Sequence, residues 1–549
     1  MKMPYNRHQN MTMNNVIDML SVSARKHPEK TAFIDPEKSI TFSELNDTVL
    51  RVATLLLKGD LCAPLSSEDG VGFYMEKSVD AVCALLGVVR AGGFYSFIDV
   101  RQPAERAKSV IDILSPHVII TDKENADALR RIYTAASNAD AATALLDPDF
   151  GKEESVSKAL GIRAQIVLIS DLLEAAAKCE PDEGLLKLSD TLSYDLMPLY
   201  VNFTSGSTGT PKGVAVGHRS VIDFINGFTE IFGIDQNDII ANQAPFDFDV
   251  SVKDVYSGLN TGATVLLIPR DYFSNPSALM DYLADHKVTT LIWAVSAMCF
   301  VSIMNGLEYR LPEHIRLIMF SGEVMPVKHL NKWRSFLPDA TYVNLYGPTE
   351  ITCNCTYHIL NREYEKDEVI PAGMPFPNEK VFLLDDKDHL VEEPGIEGEI
   401  CVSGTCLALG YYRDREKTAL SFVQNPLNDR FHELIYRTGD IGRYDEENNI
   451  IYVSRKDFQI KHMGQRIELG EIEVSAMASD GVERACCLYD EKKKRIILFY
   501  TGDIEKGELS KALQQKLPQF MMPQKTLRLD DMPMNKNGKI NRNTLKGMI

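Results

Sequence analysis

The chain has 549 residues, with 59 Lys and Arg against 77 Asp and Glu, a formal net charge of −18. This length exceeds what one compact core can organise, so the chain must divide into domains. A surface this acidic argues against general binding to nucleic acid or to an anionic membrane, although a local donor-rich pocket can still hold a polyphosphate.

The first residues, MKMPYNRHQNM, lack the apolar core of a signal peptide, and no apolar run in the chain reaches membrane-spanning length. The ten cysteines are scattered without paired CxxC units, which suits thiols in a reducing cytoplasm rather than a zinc site. From the N-terminus, strand-like runs at Val118–Thr121, Ile166–Ile169, Thr264–Ile268, Thr290–Val295 and Ile315–Phe320 alternate with helical patterns. That alternation predicts α/β layers, with helices covering sheets. Between Ile132 and Asp195 the chain turns alanine-rich and charged, which predicts a surface excursion with peripheral helices.

Next comes Leu196–Phe203, a buried-strand pattern, and then Thr204-Ser205-Gly206-Ser207-Thr208-Gly209-Thr210-Pro211-Lys212-Gly213. Glycine lets backbone N–H groups approach closely, and hydroxyls and an ammonium add donors and charge, a composition that suits phosphates. The loop has neither the Walker A spacing nor the G-x-G-x-x-G fingerprint, and such composition alone also describes a linker. Val221, Ile222, Ile225, Phe228 and Phe232 follow at helical spacing, so the segment reads as strand–loop–helix, with the anion-favouring start of a helix beyond the loop.

Further along, Asn344-Leu345-Tyr346-Gly347-Pro348-Thr349-Glu350 places an aromatic before a Gly-Pro turn and a carboxylate after it. An aromatic ring can stack on a base, and a carboxylate can hold a hard cation. Thr438-Gly439-Asp440 offers an acceptor-only group of the kind that binds a diol. Asn537-Gly538-Lys539 is a tight-turn signal that puts a lysine at a loop tip. Each of these taken singly also reads as an ordinary surface turn.

Together and in this order, TSGSTGTPKG, NLYGPTE, YRTGD, the Ser454-Arg455-Lys456-Asp457 segment with the Gly464–Glu473 block after it, and NGK resemble the adenylate-forming superfamily of acyl-CoA synthetases, luciferases and amino-acid adenylation enzymes. The resemblance runs from about Ala91 to the C-terminus. It implies a large N-terminal domain of layered sheets and helices, residues 1–456, and a small mobile C-terminal α/β lid, residues 457–549, turning about Asp457. By the same resemblance Thr204, Ser205, Gly206, Ser207, Thr208, Gly209 and Lys212 hold phosphates. Gly322, Glu323, Asn344, Leu345, Tyr346 and Gly347 bind the nucleotide, with Asn344 on the adenine amino group and Tyr346 against the adenine face. Asp440 and Arg455 meet the ribose, Thr349 meets phosphate, Glu350 binds Mg²⁺ and Lys539 is the catalytic lysine. Ser454 departs from the glycine usual in the family. The stretch around Gly398 to Gly404 with Gly410-Tyr411-Tyr412 resembles a structural block.

Phe248-Asp249-Val250-Ser251-Val252 is similar to the block of amino-acid adenylating enzymes whose aspartate pairs with the substrate α-ammonium. Asp249 is therefore expected to select an amino acid over a fatty acid, with the competing Asp247 expected to cap the following helix. The implied pocket positions are Val250, Lys253, Met319, Ser321, Leu345, Cys353 and Asn354. PFDFDVSVKDVY and MFSGEVMP look closest to D-alanine–carrier protein ligase, from which Ser321 and Lys253 depart. Lys253 either pairs with a polar or acidic substrate side chain or points to solvent. The expected reaction uses ATP and Mg²⁺ to activate an amino acid, which then passes to the phosphopantetheine thiol of a carrier protein supplied in trans. A monomer without nucleic-acid or membrane partners is expected. An acyl- or aryl-CoA synthetase, and a non-catalytic module of the same fold, are the alternatives.

Overall fold

The structure is a computed structural model that describes residues 13–66, 68–134, 164–206, 210–365, 368–456, 459–534 and 540–549. Among the described residues, three large sheets carry the N-terminal part, and two small ones lie beyond residue 459.

The nine-stranded sheet has a parallel centre: Ile239–Asn242, Thr264–Leu267, Thr290–Ala294, Leu317–Ser321 and Thr341–Tyr346. Most of these strands are near-continuous apolar runs buried on both faces, as parallel strands between helices must be. The seven-stranded sheet pairs Gly70–Tyr74, Phe94–Phe97, Val118–Thr121 and Gln165–Leu168 in parallel. It also takes in Pro198–Thr204 beside Phe94–Phe97. The six-stranded sheet is antiparallel and includes Glu397–Gly404, Leu434–Tyr444 and Ile450–Arg455.

Helices fill the space between the layers. Phe42–Lys58 starts with a reciprocal Thr41–Glu44 capping box and stops at Gly59, whose φ of 79° suits glycine. Val250–Thr261 is buried almost all round, and its Tyr256 hydroxyl meets the Tyr95 hydroxyl of the seven-stranded sheet at 3.1 Å. That helix therefore ties the two parallel sheets together, and each large apolar side chain it buries contributes about 1.5–3 kcal/mol.

The structure corrects the setting of the Gly/Ser/Thr loop. Lys212–Gly217 is a second strand, antiparallel to Pro198–Thr204, so the loop joins a β-hairpin and the helix His218–Phe232 begins only afterwards. KGVAVG is buried at every position and pairs on both edges, which favours strand over helix. The helix His218–Phe232 therefore does not open from the loop; the helix start that meets it is that of Leu469–Met477, whose N-cap Glu468 N–H donates to the Ser205 hydroxyl oxygen. The expected runs at 166–169 and 315–320 are shifted, to Gln165–Leu168 and Leu317–Ser321; Ile169 instead opens the next helix. Residues 135–163 of the alanine-rich excursion lie outside the described residues. Of the helices after it, Ile169–Lys178 packs Ile169, Leu172 and Ala176 into the main core, whereas Glu183–Leu192 buries only Leu186 and Ser189.

Beyond residue 459, the hairpin Gln459–His462/Gln465–Glu468 turns at Met463 and Gly464, both with positive φ. The helix Leu469–Met477 and the strands Val482–Asp490, Arg495–Gly502 and Lys525–Arg528 enclose a separate apolar cluster.

Candidate functional site

The C-terminal ends of parallel strands are where open α/β sheets present ligand-binding groups. Here Ser321 ends one strand and leads into Gly322 and Glu323, and the next strand ends in Asn344, Leu345 and Tyr346. Gly322, Glu323, Asn344, Leu345, Tyr346 and Arg455 line one cleft of about 1210 Å³. Met534 and Ile540, which bracket the segment bearing Lys539, line it too.

After Tyr346 the chain turns tightly. A Cβ on Gly347 would lie 2.5 Å from Asn354 Cα, so only glycine lets these backbone segments pass. Pro348 leads into the short 3₁₀ turn Thr349–Ile351, and Thr352 and Cys353 follow in the left-handed region at φ of 54° and 71°. Two successive non-glycine residues there carry backbone strain, which the Thr352 hydroxyl offsets by donating to the Cys406 carbonyl at 2.7 Å. The turn brings Thr349, Cys353 and Asn354 to the buried helix Val250–Thr261 and its N-cap Asp249, and Glu350 to Lys212.

Glu350 is fully buried and fully engaged. Its Oε1 accepts from Lys212 Nζ at 3.2 Å and from the Tyr411 hydroxyl at 2.8 Å, and its Oε2 accepts from Arg466 at 2.6 Å. Burial alone would raise its pKa, but Arg466 and Lys212 outweigh burial and hold the carboxyl well below the usual carboxylate range. Burial and the nearby Arg466 push Lys212 down to about 8. Ser205 donates to the Arg466 carbonyl at 2.7 Å and accepts from the Glu468 N–H, fastening the hairpin to the start of the loop. The buried Thr204 hydroxyl has no hydrogen-bond partner among the described residues. A Cβ on Gly206 would overlap the Thr210 carbonyl oxygen.

Asp440 is occupied on both oxygens. The Tyr346 hydroxyl donates to Oδ2 at 2.5 Å, and Arg455 donates to Oδ1 at 2.7 Å. Lys461 from the hairpin sits 5.4 Å from the centre of the Tyr346 ring. The Asn344 side-chain amide donates to the Pro371 carbonyl at 2.7 Å, and Glu323 accepts from the Gly464 N–H. Lys212, Arg466, Lys461 and Arg455 thus concentrate positive charge in a chain whose net charge is −18, the local field a polyphosphate requires.

A second group lies deeper. Asp249 is buried at the N-cap position of Val250–Thr261 but makes no side-chain capping bond. Burial raises its pKa, and Lys253 and a hydrogen bond from Thr349 oppose the rise. The Cys353 thiol donates to the Asp249 carbonyl at 3.2 Å. Lys253 does not reach solvent: it is 0% exposed, and its ammonium donates to Asn354 Oδ1 at 2.6 Å. Met319, Leu345 and Cys353 belong to one apolar cluster with Tyr346, and Ser321 and Val250 are buried. The expectation that Asp247 caps the helix is not met. Asp249 holds that position, and Asp247 lies among Asp99, Arg270 and Glu76, where burial and the like charge of Asp99 push it up to about 7.

The structure therefore brings together Lys212 with Glu350, Asp440 with Tyr346 and Arg455, Asp249 with Thr349 and Cys353, and Lys253 with Asn354. Ser207, Thr208, Gly209, Asp457 and Lys539 lie outside the described residues. The sequence motifs assign no role to Arg466 or Lys461, although both fall in or beside a motif block, and Tyr411 reads in the sequence as structural. The Gly464-Gln465-Arg466 turn was the available signal, but its partner Glu350 is 116 residues away in the chain.

Residues 20–412 match the AMP-binding enzyme family. The chain belongs to this family. The L-proline–L-prolyl-carrier protein ligase of Streptomyces coelicolor is 31% identical to it over 538 residues, spanning 95% of this chain and 94% of that protein. Bacitracin synthase 1 of Bacillus licheniformis is 28% identical over 539 residues; the match takes in 96% of this AMP-binding enzyme but only 9% of that synthase. Among solved structures, the Vibrio cholerae adenylation domain AlmE, in complex with glycyl-adenosine-5'-phosphate, aligns with a TM-score of 0.78 at 20% identity, covering 98% of this chain and 99% of that one. That likeness establishes the fold: a mixed α/β chain with a large N-terminal and a smaller C-terminal domain.

Proposed function

We propose that this AMP-binding enzyme activates an α-amino acid with ATP as an aminoacyl-adenylate, releases pyrophosphate, and passes the aminoacyl group to the phosphopantetheine thiol of a carrier protein acting in trans. The observation that carries this reading is Asp249, a buried carboxylate beside Thr349 and Glu350 with no ion-pair partner among the described residues. A buried anion without a cation is costly, and a substrate α-ammonium supplies one. A fatty or aryl acid offers no such group. The match to a stand-alone amino-acid–carrier protein ligase over nearly the whole of both chains supports the same reading.

In this scheme Asn344 and Tyr346 receive the adenine, and Asp440 and Arg455 receive the ribose. The 204–213 loop with Lys212 holds the phosphates. The substrate carboxylate attacks the α-phosphorus in line, and the bond to the leaving pyrophosphate breaks. Two anions must meet, so positioning and charge stabilisation carry the catalysis. Residues 1–456 and 457–549 act as two units about Asp457, with Lys539 bridging the substrate carboxylate and the α-phosphate. The thiol then attacks the carbonyl carbon and AMP leaves. The enzyme acts as a monomer in the cytoplasm; no described helix is long and apolar enough to cross a membrane.

Glu350 suits Mg²⁺, because one ionised carboxylate together with substrate phosphate oxygens and water is an ordinary magnesium arrangement. The ion would neutralise charge on the phosphates. Both Glu350 oxygens are engaged in the described arrangement, so Arg466 has to withdraw with its hairpin before the carboxylate is available. The test is amino-acid-dependent ATP–pyrophosphate exchange followed by mass spectrometry of a phosphopantetheinylated carrier. Exchange and an aminoacyl mass increment are expected. Thioester formation on free coenzyme A from a carboxylic acid lacking the amino group contradicts the reading.

A further inference from the structure

The helix Val250–Thr261 passes Asp249, Lys253 and Ser257 along one face at intervals of four residues, so these side chains follow one another down the helix. Asp249 stands at the entrance, next to Thr349 and Glu350. One turn deeper is Lys253, with no exposure to solvent. Burial pushes its pKa down, and Cys353, Asp249 and Asp254 oppose the fall; in its charged form it has three protons, and the acceptor it reaches is the neutral Asn354 amide oxygen. It makes no ion pair among the described residues: neither Asp249 nor its neighbour Asp254 lies within ion-pairing distance. Asp254 turns to the opposite side, where its Oδ2 accepts from Asn242 at 2.7 Å. Asn242 and the carbonyls beside it also hold Lys77.

The surroundings of Lys253 are rich in donors. The Ser257 hydroxyl is buried and has no hydrogen-bond partner among the described residues, and the buried Tyr200 hydroxyl has the Cys353 thiol beside it. Tyr200 is also close enough to Asp249 to feel its charge. A buried ammonium with a single neutral acceptor, beside hydroxyls able to donate, is poorly compensated as it stands and well arranged to receive an anion. The imbalance grows when substrate enters. An α-ammonium on Asp249 neutralises one of the two carboxylates, Asp249 and Asp254, whose fields reach Lys253.

Resting on the amino-acid reading above, we infer that the substrate is an amino dicarboxylic acid whose side-chain carboxylate is received by Lys253, with Asn354 positioning the ammonium and the Tyr200 hydroxyl as a further donor. Charge then balances within the pocket: the α-ammonium meets Asp249, the side-chain carboxylate meets Lys253, and the α-carboxylate is left to face ATP. Val250, Met319 and Cys353 are themselves buried.

The experiment compares wild-type enzyme, Lys253→Gln and Lys253→Met in ATP–pyrophosphate exchange with the L- and D-forms of aspartate, glutamate, asparagine, glutamine, alanine and proline. Wild type is expected to prefer a dicarboxylate over its own amide by at least about a hundredfold in kcat/KM, since a site built to bind a charged group rejects a substrate lacking it. Lys253→Gln should raise the amide-to-acid ratio by a similar factor and leave the KM for ATP within about threefold. If a variant fails to fold, the wild-type acid-to-amide ratio decides alone. Exchange with an amide, alanine or proline equal to or above that with the acids overturns the Lys253 assignment and leaves amino-acid activation standing. No exchange with any amino acid, whether or not simple carboxylic acids form thioesters with coenzyme A, overturns both.

Discussion

Asp249→Asn tests how the amino group is held. Asparagine keeps the shape of the side chain and its contact with Thr349 but removes the negative charge. Removing one partner of a buried charge pair costs about 2–5 kcal/mol, much of it from the unpaired charge left behind. Asp249 is buried and its hydrogen-bond partner Thr349 is neutral, and the nearby Glu350 is already engaged by Lys212, Tyr411 and Arg466, so the upper part of that range applies. About 3–5 kcal/mol corresponds to roughly 150- to 5,000-fold in kcat/KM for the amino acid. In pyrophosphate exchange the loss should appear as a raised KM for the amino acid, with the KM for ATP within about threefold of wild type. The variant should fold normally. It no longer buries a charge whose pKa burial has raised, and it forgoes the favourable field of Asp249 on Lys253. These effects oppose each other and should leave stability within about 1 kcal/mol. An amino-acid KM within threefold of wild type refutes the role of Asp249. A fall of many degrees in Tm would instead make it structural.

Arg466→Met removes the cation that engages Glu350 Oε2, so the Mg²⁺ concentration for half-maximal exchange should fall; a rise contradicts competition between Arg466 and the metal for that carboxylate. Lys539→Ala should lower exchange by about a hundred- to a thousandfold while ATP still binds, by analogy with loss of one preorganised charge contact; near wild-type exchange removes Lys539 from catalysis. Asp254 gives a pH signature. Burial pushes its pKa up to about 7, so the folded state holds its proton more tightly than the unfolded state. Its contribution is fully favourable below the unfolded carboxylate pKa and is lost as pH rises through about 7. Asp254→Asn should therefore gain stability relative to wild type between pH 4 and pH 8 in denaturant titrations, by up to about 4 kcal/mol; a gain independent of pH contradicts this.

What the sequence made legible was chemistry carried by contiguous residues. Asn344 to Glu350 is one strand end and one turn, so its order in the chain is also its order in space. The same holds for Asp440, which pairs with Arg455 across two neighbouring strands. The parallel strands were legible because burial on both faces leaves unbroken apolar runs. The hairpin after the loop was not, because KGVAVG is too short to distinguish strand from helix by periodicity and its pairing edge, Gly410–Tyr411, lies far along the chain. The same distance hid Tyr411 and Arg466. Each reaches Glu350 from a separate element, and nothing local marks a tyrosine or an arginine as the partner of a remote carboxylate. Lys253 was legible as an oddity within an apolar helix, but its burial, which turns the oddity into a question about the substrate, depends on how both sheets close over that helix.

The most direct test of the account compares pyrophosphate exchange supported by the best amino-acid substrate with that supported by its des-amino analogue, the same carboxylic acid without the α-ammonium. The account predicts a preference of at least about a hundredfold for the amino acid, largely abolished in Asp249→Asn. Equal exchange with the two acids in wild type would show that activation does not depend on the amino group, and would contradict the claim that this site selects amino acids.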